Sequence, residues 1–160
     1  MTGVQTCALP ILEFLQPSAA GGMGYAIPAA LAAKLVRRDD PAIAVCGDGG
    51  FGVAINGIMT ARDEEIPIVT VVLNNSQLGW IRHGQGDRPI ASTFANYDHA
   101  AIARAMGCEG IRVERPDELP KALAQALSSG RPTVVDVVTS DRYTFHDVTS
   151  PLTAIGRAHV

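Results

Sequence analysis

Ala44 to Gln77, AVCGDGGFGVAINGIMTARDEEIPIVTVVLNNSQ, reads as an apolar strand, a Gly-Asp-Gly turn, a helix, a second apolar strand and a closing Asn-Asn. The second strand, Ile66 to Leu73 (IPIVTVVL), is β-branched and nearly all apolar, the composition of a strand covered on both faces in a parallel sheet. In such a sheet both strand tips open on one edge, where ligands of open α/β sheets bind. Asp48 and Asn75 stand at the two tips, so a carboxylate and a carboxamide can converge on one cation. Oxygen donors suit a hard ion such as magnesium, which shares its shell with phosphate oxygens. The glycines around Asp48 let backbone N–H groups approach an anion at the helix start.

The flanking sequence alternates in the same way. Gly21 to Arg38 begins with glycines and continues as an Ala/Leu helix, with Pro28 tolerable only near its first turn and Asp39, Asp40 and Pro41 ending it. Ala42 to Cys46 is a short strand, and Phe51 to Arg62 a helix closed by a polar run. Asp98 can cap a helix through Met106, Gly110 to Val113 is a short strand, Pro116 to Ser129 a helix ended by Gly130, and Pro132 to Thr139 the last strand. Strands alternating with helices predict right-handed crossovers and an α/β fold, an open, doubly wound, mostly parallel sheet with helices on both faces. From Asn75 to Asn96 the chain is polar and Gly-rich, with a short helix expected at Leu78 to His83. Such a long connection is often functional.

Hydrophobic residues make up 47% and charged ones 18% of the 160, with a net charge of −3. This is a soluble globular composition, and with no basic stripe it predicts no nucleic-acid partner. No apolar run is long enough to span a bilayer, so no membrane association is expected. Cys7, Cys46 and Cys108 have neither disulfide-framework nor zinc spacing. Packing thiols of this kind point to a cytoplasmic location. His83, His99 and His146 have no ligand spacing among themselves and are expected to be structural or solvent-facing; His159 falls in the C-terminal tail.

Both ends look foreign to the fold. Thr2 to Ile11 (TGVQTCALPI) is what ACT GGA GTT CAG ACG TGT GCT CTT CCG ATC encodes, a common sequencing adapter. Ile155 to Val160 (IGRAHV) is spelled by ATC GGA AGA GCA CAC GTC, which, with a G before it, contains the reverse complement of GCTCTTCCGATC. Residues 1–11 and 155–160 are therefore expected to be adapter-derived and are set aside as a cloning scar would be. The remaining 12–154, about 140 residues, is the size of one domain with a real core.

Gly47, Gly49 and Gly52 also satisfy the dinucleotide pattern G-x-G-x-x-G after a strand. A non-catalytic Rossmann-like dinucleotide-binding module is thus the alternative. That site wants an acidic residue at the end of the second strand to hold a ribose hydroxyl, and here the strand ends Val72-Leu73-Asn74-Asn75. Asp48 inside the glycine turn would also repel a pyrophosphate unless a cation lay between them. The pattern favours a metal-bridged diphosphate.

GDG followed by strand–helix–strand order and NN resembles the cofactor motif of thiamine diphosphate-dependent enzymes, and the resemblance extends over Leu12 to Thr139 as their C-terminal pyrophosphate-binding domain. It implies that Asp48, the side-chain oxygen of Asn75 and the backbone carbonyl of Gln77 ligate Mg2+, with diphosphate oxygens and a water completing the octahedron. It further implies that Gly49 and Gly50 give N–H groups to the diphosphate and that Leu78, Gly79 and Trp80 line the cofactor. GGMGYAIPAA looks like the family segment in which a bulky apolar side chain, here Met23, wedges between the cofactor rings. The carbonyl of Gly21 would then accept a hydrogen bond from the aminopyrimidine amine.

NNSQLGWIRHGQ is similar to stretches of acetolactate synthase-like and glyoxylate carboligase-like members, which implies a 2-oxo acid substrate, Trp80 and Ile81 near it, and Arg82 facing an anionic group. The resemblance implies a carboligase or decarboxylase, a transferase or lyase. One departure is that many members carry an acidic residue where this chain reads Asn56-Gly57-Ile58. In the family a glutamate on a separate pyrimidine-binding domain, usually of a second subunit, protonates the aminopyrimidine. No segment here resembles that domain. The expectation is therefore a homo-oligomeric parent enzyme and a fragment with no catalytic residue of its own, inactive in isolation.

Overall fold

The computed structural model describes residues 14–17 and 21–142. The adapter-like segments, Cys7, His146 and His159 lie outside the described residues. Among the described residues four strands, β1 (Ala42–Gly47), β2 (Ile68–Asn74), β3 (Glu109–Val113) and β4 (Thr133–Val138), form one sheet of order β1-β2-β4-β3 with every pairing parallel. The α/β fold expected from the alternation is the fold observed. The helices are α1 (Ala26–Val36), α2 (Asp48–Ala54), α3 (Asn56–Asp63), α4 (Gly79–Gly84), α5 (His99–Ala105) and α6 (Leu119–Ser128).

Side chains alternate across the sheet as strand geometry requires, so β2 feeds two cores. Ile68 and Val72 face one side, where Ile27 and Ala30 of α1, Phe51 and Ala54 of α2, Ile58 and Ala61 of α3 and Ala103 of α5 pack with Ala42, Ala44 and Val134. Val69 and Val71 face the other, against Val113, Val135, Val137 and Ala122 and Ala126 of α6. β1 is apolar on both faces but covered on one. Ile43 and Val45 remain 48% and 56% exposed at the sheet edge.

Several boundaries depart from expectation for local reasons. The helix expected over Phe51 to Arg62 starts at Asp48 and divides at Ile55, whose carbonyl accepts the amide of Ile58 at 3.0 Å, a 3-10 step in the ladder. Asn56 and Gly57, weak helix formers, stand at that joint. The Ala/Leu helix expected to follow the glycines begins at Ala26 and ends at Val36, two residues short of Arg38, while Gly21 and Gly24 take left-handed φ of +52° and +83° and hold GGMG as a turn before it. Pro116–Glu118 forms a 3-10 turn before α6. The Asp98 cap is present: its Oδ1 accepts the Ala101 N–H at 2.7 Å.

α5 lies tight against β3. A Cβ added at Gly110 would sit 3.0 Å from Ala100 Cα and closer still to the Ala100 carbonyl, and neither backbone can turn aside. Gly110→Ala is therefore expected to destabilise the fold by about 1–3 kcal/mol, read as a lower urea midpoint with unchanged m-value.

Candidate functional site

β1 ends at Gly47 and α2 begins at Asp48, which aims its buried carboxylate across to the tip of β2. There Asp48 Oδ2 accepts the backbone N–H of Asn75 at 3.0 Å. The chain then turns sharply. Ser76 takes a left-handed φ of +58°, and its N–H donates to Asn74 Oδ1 at 3.3 Å. This turn brings the Gln77 carbonyl round, so that the near atom of the Asn75 carboxamide lies 3.0 Å from Gln77 O and 3.1 Å from Asp48 Oδ2.

With no cation present, those two oxygens call for the amide nitrogen. With the amide oxygen turned to them, three oxygens form a triangle. Magnesium holds oxygens at about 2.0–2.1 Å in an octahedron, so neighbouring ligands lie about 2.9 Å apart. The two edges that meet at the Asn75 carboxamide, 3.0 and 3.1 Å, fit that spacing. Among the described residues no three His, Cys, Asp or Glu side chains gather at a metal position, so a cation here would meet one carboxylate and neutral oxygens, a hard-ion donor set.

A second strand-like segment steadies the turn. Leu78 N–H donates to Ser92 O at 2.9 Å, Phe94 N–H to Ser76 O at 2.8 Å, and Gln77 and Thr93 form an antiparallel bridge. Sequence patterning gives no hint of this clamp, because the long polar connection has no periodicity.

A glycine floor adjoins the triangle. A Cβ on Gly49 would sit 2.5 Å from Met23 Cε and nearer still to Leu78 Cδ2, so those two side chains close over bare backbone. Met23 is 54% exposed above it, and Trp80 on α4 is 71% exposed. Gly21, Met23, Asp48, Gly49, Gly50, Asn75, Gln77, Leu78, Gly79 and Trp80 all line one cavity of ≈ 1270 Å³, which continues along the uncovered face of β1. Arg82 is tied to its own loop, donating to Gly86 O at 2.9 Å. Burial, with the Asp48 charge adding to it, pushes the Cys46 thiol up to about 12, so it stays protonated and is no nucleophile.

Behind Asp48 lies a polar cluster that sequence patterning did not single out. Asp136, wholly buried in β4, accepts from Arg112 Nη1 at 2.6 Å, Asn74 Nδ2 at 2.9 Å and the His99 backbone N–H at 3.1 Å. Burial pushes its carboxyl up. The bonds from His99 and Asn74 and the charges of His99 and Arg112 more than offset this and hold it below the usual carboxylate range. A lone acid in the apolar run PTVVDVVT was the available signal, since a buried charge demands partners. His99, expected to be structural or solvent-facing, is buried between Asp48 and Asp136.

The profile of the thiamine pyrophosphate enzyme C-terminal TPP binding domain matches residues 4–137. The Bacillus subtilis (strain 168) protein YdaP, named as thiamine pyrophosphate-containing, is 40% identical over 79% of this chain and 22% of its own length. Sulfoacetaldehyde acetyltransferase of Alcaligenes xylosoxydans xylosoxydans is 35% identical over 79% of this chain and 22% of its own length. The large subunit of acetolactate synthase isozyme 2 of Escherichia coli (strain K12) is 31% identical over 78% and 24%. The chain thus spans about a fifth of the length of the curated relatives it matches. Among the described residues no helix is long and apolar enough to cross a membrane.

Proposed function

Since the chain belongs to the thiamine pyrophosphate enzymes as their C-terminal TPP-binding domain, we propose that it takes thiamine diphosphate through Mg2+ held by Asp48, the Asn75 side-chain oxygen and the Gln77 carbonyl. The carrying observation is the oxygen triangle, with its edges of 3.0 and 3.1 Å. The first N–H groups of α2, at Gly49 and Gly50, have no intrahelical acceptor and are available to diphosphate oxygens. Met23 supports the bend between the cofactor rings, the Gly21 carbonyl accepts from the aminopyrimidine amine, and Leu78, Gly79 and Trp80 form the adjoining wall. When bound, the cofactor supplies the carbanion chemistry, and these residues supply placement and exclude water.

The parent enzyme, on this reading, is a cytoplasmic, acetolactate synthase-like decarboxylase or carboligase acting on a 2-oxo acid. Likeness to acetolactate synthase and to benzoylformate decarboxylase of Pseudomonas aeruginosa supports that class. A pyrimidine-binding domain of a second subunit in a homo-oligomer would complete the site. This chain alone is then expected to leave pyruvate unchanged. The family match lends nothing to the dinucleotide alternative.

Calorimetric titration tests the reading. Thiamine diphosphate should bind the chain with Mg2+ and lose that binding in EDTA, while NAD gives no heat in either buffer. Equal binding with and without the ion would refute it.

A further inference from the structure

Asp48 has a second oxygen, and it faces inward. Oδ1 lies 3.8 Å from Nε2 of His99, with side-chain exposures of only 5% for the histidine and 2% for the aspartate. That distance is about 1 Å beyond hydrogen-bond length. The imidazole has little freedom. Its Nδ1 lies 3.1 Å from Asn74 Nδ2 and 3.3 Å from Asp136 Oδ1, its own backbone N–H is bonded to Asp136 Oδ2 at 3.1 Å, and Phe51 meets the ring edge-on at 5.1 Å. Asp136 is anchored in turn by Arg112. One chain of contacts therefore runs from Arg112 on β3, through Asp136 on β4 and His99 on α5, to Asp48 at the tip of β1.

We propose that His99 is a positioning residue for the cation site: its Nε2 edge holds Oδ1 of Asp48 on the inward side and leaves Oδ2 as the single oxygen presented to the ion. This rests on Asp48 being a magnesium ligand, as proposed above. Magnesium demands near-ideal octahedral geometry. The Asn75 N–H tethers Oδ2 at 3.0 Å, and the imidazole behind Oδ1 limits how far the carboxylate can swing about that tether. Groups that orient a ligating carboxylate from behind are worth about 10–100-fold in metal affinity.

The test uses the 160-residue chain and Mn2+ as the paramagnetic probe, with free ion counted by EPR and unfolding midpoints taken without metal. His99→Gln can return a side-chain N–H toward Asp48 and should stay within about threefold of the parent, whereas His99→Asn, which restores only the Asp136 side, and His99→Phe should each weaken Mn2+ by about tenfold or more. Parent-like affinity in His99→Asn or His99→Phe overturns the proposal. So does a His99→Gln protein as weak as His99→Phe. If His99→Phe does not fold, the Asn and Gln variants decide, because a packing role alone would move their unfolding midpoints and not their Mn2+ affinities. Asp48→Ala separates the two levels: Mn2+ binding that survives it defeats the magnesium reading, while binding lost there but intact in His99→Asn defeats only the role of His99.

Discussion

Asp48→Ala should remove Mg2+-dependent binding of thiamine diphosphate, weakening it by more than about a hundredfold, since even groups behind a ligand are worth about 10–100-fold. The substitution deletes the one charged member of the oxygen triangle and leaves two neutral oxygens, too weak a set to strip water from an ion that dehydrates reluctantly. It also frees the Asn75 N–H that Asp48 Oδ2 accepts at 3.0 Å, so the turn loosens as the ligand is lost. Calorimetry in two buffers isolates the effect. With Mg2+ the parent and the variant should differ widely, and in EDTA they should coincide. A variant that still responds to the ion would place the cation elsewhere.

Asp136→Ala is expected to cost about 3–5 kcal/mol of stability, the usual result of removing one partner of a buried ion pair. Arg112, Asn74 and the His99 backbone N–H would all lose an acceptor. The same carboxyl sets an acid limb. Its folded value lies below the usual carboxylate range, so its contribution is fully present above the unfolded value of about 3.9 and is lost as pH falls through the folded one. Urea midpoints from pH 7 downward should therefore drop more steeply for the parent than for Asp136→Asn, which has no proton to gain there. Parallel curves would remove Asp136 as the source.

The alternation of elements was legible because parallel strands covered on both faces read as unbroken apolar runs, and IPIVTVVL is one. The meeting of Asp48 with Asn75 was legible for the same reason: parallel neighbours end on one edge, and each residue sits at a strand tip. The cluster behind them was not. Arg112 and Asp136 are directly paired in register, but only because β4 inserts between β2 and β3, a choice of strand order that no local pattern specifies. The division at Ile55 was hidden because VAINGIM keeps enough apolar residues to look like one helix. Thr93 pairs with Gln77 across a connection of weak local preference, where long-range pairing overrides anything read residue by residue.

The left-handed Ser76 has a consequence for how variation at this site would be interpreted. On the proposed ligand set, one of three protein donors is a peptide oxygen, which every amino acid possesses. Swapping the Gln77 side chain would leave that donor chemically intact, and a survey of substitutions would score the position as indifferent to the ion. Vulnerability moves instead to whatever shapes the bend: a β-branched residue at 76, where φ is +58°, or a proline at Leu78 or Phe94, whose N–H groups fasten the loop. Lesions there would mimic the loss of a ligand without touching one.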